Sequence, residues 1–133
     1  MTSTDPVHRA SRASWVRATP GDGVLHVAGT AGIVGHRSVH PGDVARQCDT
    51  ALDDIATLLG PANTVRYGLT TPLHPIHLRS IKVYVRHAHD LPAVRTRCAT
   101  AFSPQADVVS VVSDICRREL LVEIEGIVPV PAP

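Results

Sequence analysis

The chain has 133 residues, of which 44% are hydrophobic, 19% charged and 3% aromatic, and its formal net charge is +1. This balance suits one globular domain with an aliphatic core and excludes a disordered chain, and the lack of any basic run excludes the electrostatic footprint of a nucleic-acid binder. No apolar stretch approaches the roughly 20 residues that span a bilayer, and the start MTSTDPVHRAS has no signal-peptide core, so a cytoplasmic protein with no membrane partner is expected.

Residues 1–13 read as a flexible N-terminus, residues 14–128 as a single domain, and PVPAP (129–133) as a flexible tail. SWVRA and then VLHVAGTAGIV read as two or three short strands broken by Gly29 and Gly32. DVARQCDTALDDIATLLG places Val44, Cys48, Ala51, Leu52, Ile55 and Leu59 at helical spacing, with Pro41 before it and Gly60 after it as start and stop. PANTVRYGLTTPLHPIH, rich in Pro, Gly and Thr, reads as a long connection.

LRSIKVYVR alternates as a strand, with Ile81, Val83 and Val85 on one face and Lys82, Tyr84 and Arg86 on the other. Asp90 is placed to cap a second helix whose apolar stripe is Leu91, Val94, Cys98, Ala101 and Phe102. VVSVVSDI and LLVEIEGIV are two closing strands. In the latter, Val122 and Ile124 share one face while Glu123 and Glu125 share the other.

The cysteines, Cys48, Cys98 and Cys116, are odd in number and widely spaced, which fits neither a disulfide framework nor a zinc pattern. Cys48 and Cys98 are expected to be reduced and buried. His36 and His40 in GHRSVHPGD have the best metal-like spacing, but Arg37 and Pro41 suit a loop, so no metal site and no cofactor are expected.

The order of elements gives an α+β domain: a mixed β-sheet with two helices packed on one face. The second face carries Lys82, Tyr84, Arg86, Glu123 and Glu125 together with valines of VVSVVSDI. Packing it against copies of itself in a symmetric oligomer would bury it and enclose the two glutamates between subunits.

That element order resembles the Rid (YjgF) family. GTAGIVGHRSVHPGDVARQCDTALDDIATLL (29–59), IKVYVRHAHDLPAVR (81–95) and DICRRELLVEIEG (114–126) resemble, within that superfamily, the C-terminal domain of the chorismatases. The resemblance implies a homotrimer with small-molecule sites between subunits, assembled around the open sheet face. It also implies an enzyme of specialised metabolism, a lyase or hydrolase on chorismate or a similar small carboxylate, with pyruvate as one product. By resemblance Glu123 is the acid/base, Cys116 lies in the pocket and bears on the product formed, and Gly29 or a near neighbour shapes the site. Read beside it, Arg86 or Arg117 is a cation suited to the substrate carboxylate, Tyr84 is a pocket or interface residue, and Thr30 either donates to the ligand or fixes a turn.

Two departures stand against this pattern. Chorismatases carry an N-terminal domain ahead of the matching stretch, which this sequence does not include. Imine-deaminating Rid enzymes use an arginine at the start of the penultimate strand, and SPQADVVSVV has none. A Rid-type imine or enamine hydrolase with another cation, a repurposed pathway-specific lyase or cyclase, and a non-catalytic ligand-binding protein are the alternative readings.

Overall fold

The computed structural model describes residues 13–19, 22–69 and 71–130. Strands β1 (Ala13–Thr19) and β2 (Asp22–Ala31) form an antiparallel hairpin, and β3 (Ile33–Val34) and β4 (Arg37–Ser38) form a smaller one. Helix α1 (Val44–Leu59), β5 (Ser80–Val85), α2 (Leu91–Ala101), β6 (Asp107–Val112) and β7 (Val122–Val130) follow. The last strand inserts between β2 and β5, giving one sheet in the order β1-β2-β7-β5-β6. The β5–β6 pair is parallel and α2 is the crossover that a parallel pair requires, so the sheet is mixed as expected.

Both helices lie on one face. Cys48, Ala51, Ile55 and Leu59 of α1, Val94 and Cys98 of α2 and Phe102 just after it form one buried cluster with Leu25, Val27, Ile81, Val83, Val85, Val122 and Ile124 of the sheet. Burying each of the larger aliphatic side chains contributes about 1.5–3 kcal/mol, so this layer is the main source of stability. The hydrogen bond with Cys98 and burial push the Cys48 thiol up, leaving it a protonated packing group between the helices.

Local signals explain most of the element ends. Asp43 caps α1 through Oδ1, which accepts from Arg46 N at 3.0 Å, and Gly60 ends it just before Pro61. Asp90 stands at the N-cap position of α2 but makes no side-chain cap there; its carboxylate lies 3.5 Å from His89 Nε2 instead. The long connection contains short helical turns at Pro61–Thr64, Val65–Tyr67 and Pro75–His77, and is anchored by buried Leu73 and Leu78. The final strand continues through Pro129 and Val130, which pair with Val24 and Gly23, two residues past the boundary set at 128. The expectations for residues 1–12 and 131–133 lie outside the described residues.

Candidate active site

Strands β2 and β7 do not stay in simple register. Val27 pairs with Gly126 and Thr30 with Ile124, so Ala28 and Gly29 together stand opposite Glu125. This is a β-bulge, which bends a strand and re-aims its neighbours. Gly29 was expected to break the strand; it lies inside β2 and bulges it instead. The bulge sits against Glu123: a Cβ on Gly29 would stand 2.7 Å from Glu123 Oε1 and 2.8 Å from its Cδ. Only a residue without a side chain leaves the carboxyl where it is.

Thr30 turns the other way. Its register partner, Ile124, belongs to the helix-covered face, and Thr30 is fully buried with its hydroxyl donating to Ala28 O at 2.9 Å. Of its two expected roles, the geometry supports fixing the bulge rather than touching a ligand on the open face.

On that open face, Tyr84 is the cross-strand partner of Glu123, and Lys82 is the partner of Glu125. The Tyr84 hydroxyl donates to Glu125 Oε1 at 2.6 Å. Burial pushes the half-buried Glu123 carboxyl up from its ordinary value, and the charge of Glu125 adds to the effect. The bond to Glu125 raises Tyr84 as well, followed by burial, so the phenol remains a donor at neutral pH. The strands therefore bring together a carboxyl favouring its protonated form, a second carboxyl anchored by a phenol, and an exposed lysine.

The 113–121 connection and the β3–β4 hairpin close over the end of this face. Ala31, Ile33, Ile115 and Leu120 form a second buried cluster there, and Tyr84 packs against it. Arg86 holds the connection in place through four hydrogen bonds. Its Nε donates to Leu120 O at 2.8 Å, its Nη2 to Ile115 O at 2.9 Å and Arg117 O at 2.8 Å, and its Nη1 to Asp114 Oδ1 at 3.4 Å. Strand alternation had placed Arg86 beside Lys82 and Tyr84 as a substrate cation, but β5 ends at Val85 and the guanidinium is committed to backbone carbonyls. Arg117 is engaged too, donating from Nη1 to His36 O at 2.8 Å and to Ser38 Oγ at 3.3 Å. Cys116 is exposed on the same connection, between buried Ile115 and Arg117.

Sequence reasoning missed Gln47. It is fully buried on the sheet-facing side of α1, and its amide bonds to the backbone of both the HPGD loop and the 113–121 connection. The available signal was its position, three residues after Val44 and four before Ala51, which puts a polar side chain inside the apolar stripe. Among the described residues, no group of three or more His, Cys, Asp or Glu side chains is arranged to hold a metal ion. A groove of about 450 Å³ opens between α2 and β6, lined by Val94, Phe102 and Val108 among others, on the opposite side of the sheet from Glu123.

No family model matches the chain. A 3-hydroxybenzoate synthase of Streptomyces hygroscopicus is 44% identical over 123 residues, covering 90% of this chain and 36% of that protein. The crystal structure of a chorismatase superposes with a TM-score of 0.83 at 45% identity, covering 88% of this chain and 35% of the other. The YjgF protein of E. coli superposes with a TM-score of 0.65 over 96% of this chain and 94% of its own, at 18% identity, a likeness of fold alone. The chain spans about a third of the length of the two longer proteins it matches.

Proposed function

We propose that this chain, which is similar in sequence and fold to a C-terminal part of the chorismatases, is an acid/base enzyme acting on chorismate or a similarly shaped enol-ether carboxylate. The observation that carries the reading is the Glu123 carboxyl, raised by burial, seated over a glycine bulge and flanked by the Tyr84–Glu125 pair.

Cleaving an enol ether begins with proton transfer to its terminal methylene carbon, a slow step that needs a positioned acid protonated near neutral pH. Glu123 supplies that proton, and the electron pair of the double bond forms the new C–H bond. The ether carbon becomes an oxocarbenium, water adds to it, and the Glu123 carboxylate takes the proton that water releases. The hemiketal then collapses: Glu123 returns its proton to the departing ring oxygen and takes up the proton of the hemiketal hydroxyl, giving pyruvate, a ring alcohol and a protonated Glu123. Burial, and after it the charge of Glu125 alongside, favour the protonated form of Glu123, while Tyr84 holds Glu125 in place.

The substrate carboxylates need a cation. Arg86 and Arg117 are occupied by the connection, which leaves Lys82, exposed on the Glu123 face, as the group to receive one of them. The bulge at Gly29 bounds the space beside Glu123, and Cys116, exposed on the 113–121 connection, is the thiol this reading assigns to product choice. The remaining walls come from neighbouring copies in a homotrimer, a role supported by the open character of the face in the single chain.

The test is pyruvate release from chorismate in a coupled dehydrogenase assay. Wild type is expected to release pyruvate, and Glu123→Gln to lose at least about 100-fold in turnover, the scale of a general-acid contribution, with its fold intact. A wild-type protein that neither releases pyruvate nor binds chorismate by calorimetry overturns the reading.

A further inference from the structure

We infer that Gln47 is a positioning residue for Glu123: from inside α1 it fixes the 113–121 connection and the first residues of β7, and with them the place of the Glu123 carboxyl beside the bulge. The inference rests on the acid/base reading of Glu123.

Gln47 has no exposed surface, and all three hydrogen bonds of its amide go to main-chain groups outside its own helix. Its Nε2 donates to Glu119 O at 3.0 Å and to His40 O at 3.1 Å, and its Oε1 accepts from Leu121 N at 2.8 Å. An aliphatic side chain would bury as well at this point of the stripe; the amide is there for what it holds. The opposing backbone leaves room for it, because a Cβ on Gly32 would stand 2.9 Å from Gln47 Cγ and 3.2 Å from its Cα. His40 adopts φ +54, the left-handed region that a side chain enters only when its surroundings hold it there. Gln47 is part of that hold.

Leu121 lies two residues before Glu123, and both of its main-chain groups are fixed. Its N–H meets Gln47 Oε1, and its carbonyl accepts from Arg86 N at 3.0 Å. A slip of one residue in a strand sends every side chain to the other face. Held by α1 and by Arg86, just past the end of β5, Leu121 sets the start of β7 for the register in which Glu123 faces Gly29. The charged and titratable groups around it are Glu125 on its own strand and Tyr84 and Lys82 on β5, while β2 offers Gly29 and Ala31. Gln47 touches none of these, so its influence on Glu123 passes through the main chain.

The test uses the full chain with ¹³C-labelled glutamate, following the Glu123 side-chain carboxyl through pH by NMR in wild type and in Gln47→Met. Gln47→Met keeps length and apolar bulk while removing all three bonds; Gln47→Asn, too short to reach all three partners, replaces it if the Met variant does not fold. In the folded variant the Glu123 midpoint is expected to fall toward the roughly 4.3 of a free glutamate as water reaches it. The pH–rate profile for pyruvate release should move with it, with kcat down roughly 10- to 100-fold, the scale of a misplaced catalytic group, and KM changed far less. A purely structural role would lower Tm and leave the midpoint alone. A folded variant with the wild-type Glu123 midpoint overturns the inference. Because that midpoint needs no substrate, a shifted midpoint in a protein whose wild type releases no pyruvate supports the positioning role and overturns the chorismate reading.

Discussion

At the residue scale, the site depends on a glutamate that a neighbour's missing side chain admits. Glu123 occupies the space that a Cβ at position 29 would take, and its surroundings favour the neutral acid. This has a consequence for stability. A carboxyl whose folded pKa is raised binds its proton more tightly in the native state, so its stabilising effect is full below the unfolded value. It is then lost as pH rises through the folded one. Wild type should therefore lose stability relative to Glu123→Gln as pH rises from about 4 upward. Because the group is only half-buried, solvent screening should keep the difference within about 1 kcal/mol. Thermal unfolding of both proteins between acid and neutral pH checks this: a wild-type Tm that, taken relative to that of Glu123→Gln, stays flat or rises with pH contradicts the raised acid.

At the scale of elements, the 113–121 connection is held by groups that the sequence disguised. Arg86 donates to three main-chain carbonyls there, and its ion pair with fully exposed Asp114 adds little. Leaving carbonyls without a donor costs about 1–3 kcal/mol each where water cannot enter. Arg86→Ala is therefore expected to destabilise the protein by about 2–4 kcal/mol in denaturant unfolding. Amides of the connection should lose exchange protection, and lysine should restore only part of the loss, since it lacks the planar fork. A substrate cation would behave differently, raising KM while leaving unfolding unchanged.

The same elements show what could be read beforehand. The α1 stripe, the β5 alternation and the faces of Val122, Glu123, Ile124 and Glu125 follow from spacing alone, and they appear as expected. The bulge at Ala28–Gly29 does not, because it arises from how β2 meets a strand a hundred residues away. Which of the two roles Thr30 takes, and where Arg86 points, were equally hidden. The bulge turns Thr30 inward, and Arg86 lies one residue past the end of β5, where strand alternation no longer governs. Gln47 reads as a polar interruption of a stripe until its three main-chain partners are seen together.

At the scale of the molecule, the sheet is covered on one face and open on the other. Along edge strand β6, Val109 shares the open face with Lys82, and Val111 shares it with Tyr84. These two valines are 54% and 37% exposed. An apolar edge beside a half-buried acid is a surface that invites another chain. A closed ring of three copies would cover it on every subunit. The chain should accordingly scatter light as about three copies of 14.2 kDa at micromolar concentration. Val109→Lys combined with Val111→Lys adds charge to positions already exposed in the single chain, so each subunit should stay folded while the ring separates. If the acid site lies between subunits, pyruvate release should fall with the loss of assembly and recover when concentration drives reassociation. A wild-type monomer with full turnover would show instead that one chain completes the site by itself.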